Sequence, residues 1–109
     1  MKNLAVDYGA LSDVELARSC ADGDVEAVRH LVATNNQRLF RVAWSILKNR
    51  SEAEDVLQSS YANALAAIGG YEGRSSLTTW LTRIAINEAL GRKRSQERRR
   101  RHLEAEGVQ

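Results

Sequence analysis

Between residues 25 and 46 the chain places Val25, Val28, Val32, Asn35, Leu39, Val42 and Ile46 at steps of three and four. That period is the turn of an α-helix, and it lines all seven along one stripe, widened by Leu31, Ala43 and Leu47. Asn35 is the single polar member. The spacing predicts one long amphipathic helix from Asp24 to about Lys48, and Phe40 and Trp44, four apart, are expected in or just under the core. Nothing in the chain competes with this reading. No run alternates with period two, proline is absent, and the β-branched residues are scattered among Ala, Leu, Glu and Arg. The expected fold class is all-α: a single compact bundle of three to four helices, for which 109 residues are enough.

Start and stop signals divide the rest. Residues 1–11 read as a loose lead. Ser12 and Glu15 form a capping box for a short helix to about Ala21. Asp22-Gly23-Asp24 is a turn and a fresh N-cap. Ser51-Glu52-Ala53-Glu54 reads as a second capping box, opening a helix to about Ala67 with Val56, Leu57, Ala64, Leu65 and Ile68 inward. Gly69-Gly70 stops it. After the polar loop 71–75, Ser75 or Ser76 caps a fourth helix with Leu77, Leu81, Ile84, Ala85 and Ala89 inside. Gly91 ends that helix or lets it run on into the basic segment.

The charge is unevenly placed. Residues 1–91 carry nine basic and eleven acidic side chains, a sum of −2, whereas residues 92–102 carry seven basic and one acidic, a sum of +6. A positive end of this kind suits a polyanion, although a solvated helix end has the same composition. The lone Cys20 forms no internal disulfide, and His30 and His102 lack metal-ligand spacing, so no cofactor and no metal are expected. No carboxylate is paired with a base or nucleophile, and no glycine motif cradles a phosphate, which argues against an enzyme. No apolar run reaches the ~20 residues of a membrane span and no signal peptide is visible, so no membrane partner and a cytoplasmic location are expected.

The chemistry that fits is contact with unpaired nucleic acid, which uses rings to stack on bases, amides and hydroxyls to meet base edges, and arginines to meet phosphates. The stretch YEGRSSLTTWLTRIAINEALGRKR (71–94) carries all three: Tyr71 and Trp80; Ser75, Ser76, Thr78, Thr79 and Asn87; Arg74, Arg83, Arg92, Lys93 and Arg94. Trp80 also has a plain reading as a core residue. A helix-turn-helix reader is not indicated, because no pair of short helices with a tight turn and a polar second helix is present.

SEAEDVLQSSYANAL followed by YEGRSSLTTWLTRIAINEALGRKR resembles region 2 of bacterial extracytoplasmic-function (ECF) sigma factors, and LFRVAWSILKN resembles the helix before it. The likeness covers about residues 12–95. It implies a transcription initiation factor domain that binds the β′ clamp helices of RNA polymerase and melts the promoter −10 element by capturing non-template bases. By position, it implies polymerase contacts at Asp55 and Gln58, with Glu54 and Leu57 beside them. Ser59 departs from the glutamate common there, which puts one polymerase contact in doubt. The −10 loop corresponds to residues 69–76, with Tyr71, Arg74 and Ser75 as contacts and Ser76 at its end. Asn63 falls where members vary with their promoter. Thr79, Trp80, Arg83 and Asn87 match the melting helix, and Arg92, Lys93 and Arg94 would follow the DNA backbone.

The resemblance further implies a lead at 1–11, a region 2 domain at 12–95, and the start of an interdomain linker at 96–109, with the basic residues beyond Ser95 solvated. It also implies an absent region 4 and an anti-sigma partner. Two other functions fit the bare residues: a helical protein-interaction module with a solvating basic tail, and a generic RNA-binding bundle.

Overall fold

The computed structural model describes residues 6–107. Four helices follow in order: α1 (Asp13–Ala21), α2 (Val25–Leu47), α3 (Arg50–Ala67) and α4 (Leu77–Ala105). Single 3-10 turns occupy Tyr8–Ala10 and Ile68–Gly70, and no strand occurs among the described residues. The chain is all-α, as its composition predicts.

The first two caps form as the sequence requires. Glu15 N–H donates to Ser12 Oγ at 3.1 Å and Ser12 N–H to Glu15 Oε1 at 2.8 Å, the reciprocal bonds of a capping box. Asp24 accepts from the amides of Glu26 and Ala27 at 3.0 and 3.2 Å. The lead is less loose than expected, because the Tyr8 hydroxyl donates to Asp24 Oδ2 at 2.7 Å and ties the turn Tyr8–Ala10 to the start of α2. That bond, with the two amides, holds the Asp24 carboxyl below its ordinary range and raises the Tyr8 phenol. Residues 1–5 of the lead and 108–109 of the expected linker lie outside the described residues.

The third cap is a correction. Ser51 does not open α3; Asn49 does, with its side-chain oxygen accepting from Glu52 N–H at 2.9 Å. The cause lies one residue earlier. Lys48 closes α2 in the left-handed region, at φ 54°, and turns the chain so sharply that Asn49 is already extended and in the N-cap position.

The core is an alanine-rich seam. α2 buries Ala27, Leu31, Asn35, Leu39 and Ala43, one residue in four, and α4 buries Leu77, Leu81, Ala85 and Ala89 with the same step. α3 supplies Ala53, Val56, Leu57, Ser60 and Ala64. Such i±4 rows interdigitate, and alanines at the crossings let helices approach closely. The stripe read from the sequence is therefore rotated: Val25 is exposed, and Val28, Val32, Val42 and Ile46 flank the true seam. Trp44 also corrects its expected place. It lies outward, 44% exposed, with Lys48 Nζ 5.0 Å from its ring centre, while half-buried Phe40 lies under the Arg50 guanidinium.

Asn35 does not break α2. Its Nδ2 donates to Leu31 O at 2.9 Å, and its Oδ1 accepts from Thr78 Oγ1 on α4 at 2.9 Å. A buried amide satisfied on both sides is tolerated in a core and fixes the register of α2 on α4. α4 also passes through Gly91 and position 95 without interruption, reaching Ala105. Glycine costs a helix only about 1 kcal/mol, and Gln96, Glu97 and Arg100 lie against Ile46, Leu47 and Lys48 at the end of α2.

Candidate nucleic-acid interface

Four constraints build the loop between α3 and α4. Tyr71 is buried, and its hydroxyl donates to Ser75 O at 2.6 Å, closing the loop on itself. Gly73 stands at φ 80°, where a side chain is strained, and a Cβ there would come within 3.0 Å of Val14 Cγ2 on α1. Ser76 caps α4 by accepting from Thr79 N–H at 3.0 Å, and its own hydroxyl donates to Thr79 Oγ1. Asp13 of α1 accepts from Leu77 N–H at 2.9 Å. The first turn of α4 is thus held by α1 as well as by its own cap, an arrangement no local motif announces.

Between this loop and α4 lies a cleft of about 230 Å³, lined by Gly70, Tyr71, Glu72, Arg74, Ser75, Trp80 and Arg83. It is smaller than the ~300–1,000 Å³ that drug-sized ligands occupy, a scale that suits a single base. Trp80 is half-buried and meets Tyr71 edge-on, ring centres 5.7 Å apart and planes at 64°. The cleft wall is therefore aromatic and rigid. Burial raises the Tyr71 phenol above its ordinary value. Arg74 pairs with Glu72 at 3.0 Å, both well exposed, and such a pair yields readily to a phosphate.

Thr79, Arg83 and Asn87 are exposed at steps of four along α4, beside Trp80, as the sequence predicts. The other expected DNA contacts divide. Asn63 is exposed, but its amide donates to Glu88 Oε2 on α4, so its free hydrogen-bonding capacity is shared. Arg94 is exposed. Lys93 lines the cleft with Ile46–Lys48, toward α2. Arg92 is paired within the chain: its Nη1 meets Glu52 Oε1 at 2.5 Å and Asp55 Oδ2 at 3.8 Å, both on α3. Tyr71 is buried and forms a wall of the cleft.

On α3, Glu54, Asp55 and Gln58 are exposed neighbours at helical spacing, with Arg50 3.4 Å from Glu54. Leu57 is buried in the core at 7% exposure and does not share that surface. Sequence reasoning missed Asp13, Glu52, Glu88 and the Thr78–Asn35 bond. Each acts across 25 to 64 residues of chain, where spacing carries no signal.

Comparison with known proteins decides the family, for the model described as Sigma-70 region 2 matches residues 31–99. The chain belongs to the sigma-70 region 2 family. Two relatives bear on the kind of region 2. The RNA polymerase sigma-H factor of Pseudomonas aeruginosa is 34% identical over 77 residues, 71% of this chain and 40% of the relative. The ECF RNA polymerase sigma factor SigX of Bacillus subtilis is 33% identical over 78 residues, 72% of this chain and 40% of the relative. The chain thus spans less than half the length of these relatives. A solved structure of an engineered region 2 of sigmaE in complex with GTAAAA superposes with a TM-score of 0.72 at 27% identity, covering 82% of this chain and 93% of that one. The SigX relative is an ECF sigma factor by name, and the solved neighbour is a region 2 of sigmaE.

Proposed function

We propose that this region 2 captures an unpaired base of the promoter −10 element in the cleft between residues 70–75 and α4, and that Thr79, Arg83 and Asn87 hold the strand beside it. The cleft itself carries the proposal: an aromatic wall, a serine, and two arginines at the mouth are what an extruded base and its phosphate need. Extruding a base costs a few kcal/mol, and stacking returns about 1–3 kcal/mol per base. Contacts to phosphates add a salt-dependent share. The solved region 2 of sigmaE in complex with GTAAAA supports a short stretch of DNA as the ligand class. Arg74 and Ser75 at the loop, with Asn63 near the foot of α3, are the positions where specificity would be set.

Asp55 and Gln58, flanked by Glu54, would meet the β′ clamp helices of RNA polymerase. Arg92, held against Glu52 and Asp55, positions that surface rather than the DNA. An anti-sigma partner and action in the cytoplasm belong to the same reading.

Fluorescence anisotropy with single strands selected by the chain from a random pool tests the DNA part. Arg74→Ala and Asn87→Ala should each weaken the selected strand at least tenfold while leaving a scrambled strand little changed. Equal binding of both strands by all three proteins would sink the specific reading. The polymerase part stands or falls on the Asp55→Ala/Gln58→Ala double variant, which should lose affinity for isolated β′ clamp helices and remain folded.

A further inference from the structure

Glu88 is the only acidic side chain of α4 between Leu77 and Gln96. It follows Asn87 and lies about 100° further round the helix, on the side that meets α3. A carboxylate there opposes the phosphates of a bound strand, and a cation to neutralise it stands one turn on, at Arg92. That pair does not form. Arg92 turns to Glu52 and Asp55, and Glu88 joins no ion pair among the described residues. Its partner is the Asn63 amide of α3, whose Nδ2 donates to Glu88 Oε2.

This partner orients the amide. A free asparagine side chain can turn either end outward, because it donates at the nitrogen and accepts at the oxygen. A carboxylate only accepts, so Asn63 gives Glu88 its nitrogen and holds Oδ1 away from it. Asn63 is exposed and Glu88 half-buried, which leaves the oriented amide open to a ligand. Its oxygen and its second N–H match an amino group beside a ring nitrogen, the pattern that adenine and cytosine present. Guanine and thymine carry a carbonyl where the amino group would be, and it would face Oδ1.

We propose that Glu88 is a positioning residue that locks the Asn63 amide to read an amino base, adenine or cytosine, in the promoter strand and to reject guanine and thymine. Asn63 touches the base and Glu88 acts through it. This rests on the function proposed above and names the base chemistry that Asn63 selects.

The test uses the full chain and a strand it has selected from a random pool, with every position replaced in turn by each of the four bases. The wild type should show one position where adenine or cytosine binds at least about tenfold more tightly than guanine or thymine. Purine or 2-pyrimidinone at that position, each lacking the amino group, should lose the advantage. Asn63→Ala should abolish the preference. Glu88→Gln both donates and accepts, so it frees the amide to turn and should flatten the preference. Glu88→Lys only donates, so it takes Oδ1, leaves the nitrogen outward and should make guanine or thymine the better base. Each preference is a ratio within one protein, so the charge that lysine adds cancels. Unchanged ratios in Glu88→Gln and Glu88→Lys would leave the bond a staple between α3 and α4 and overturn the proposal. A wild-type chain that binds its selected strand without an amino-dependent position would overturn it while the cleft stands. A chain that selects no strand would overturn the function above and this reading together.

Discussion

Thr78 gives Asn35 the one hydrogen bond its buried oxygen has across the α2–α4 contact. Thr78→Val keeps the shape and strands that oxygen, so it should cost about 1–3 kcal/mol in urea unfolding, and Thr78→Ser should recover most of the loss. Tyr61 makes a second test at this scale. Burial raises its phenol to about 12, whereas an unfolded tyrosine ionises near 10. The folded chain then holds this proton more tightly than the unfolded one. The contribution is full below about pH 10 and is lost as pH rises toward about 12. Unfolding followed between these limits should show a shallower decline for Tyr61→Phe than for the wild type. Neither residue's role was legible from spacing. Asn35 could be placed on the stripe, but the partner that lets it stay there is 43 residues away.

The four helices and most of their ends could be read because caps and apolar periods are local. The miss at Ser51 and the rotation of the α2 stripe share a cause: each depends on how one helix meets the next. Lys48 in a left-handed turn moves the cap to Asn49, and alanines rather than valines form the seam because helices meet closest there. The loop before α4 shows the same dependence. Its glycine at position 73 is required both by φ and by Val14 on the neighbouring helix. Gly73→Ala should therefore displace the loop, lowering single-strand affinity at least tenfold while the bundle loses only about 1–2 kcal/mol. Circular dichroism melts beside anisotropy separate the two effects; an unchanged affinity would show that the loop geometry is not what the strand reads.

Across the whole molecule, the two surfaces are built on different helices but share one link. Arg92 reaches from α4 to Glu52 and Asp55 on α3, and so ties the DNA-facing helix to the proposed polymerase surface. The candidate site was legible as a constellation, since Trp80, Arg83 and Asn87 fall where helical spacing puts them. Its concavity was not, because the cleft exists only once Tyr71 is buried beneath the loop. That cleft is the central claim, and amide chemical-shift mapping of the chain with a selected single strand tests it most directly. The account predicts saturable shifts concentrated at residues 70–83 and at Asn87, absent when the same sequence is offered as blunt duplex. Shifts that avoid the 70–83 segment, or that are the same for strand and duplex, would contradict it.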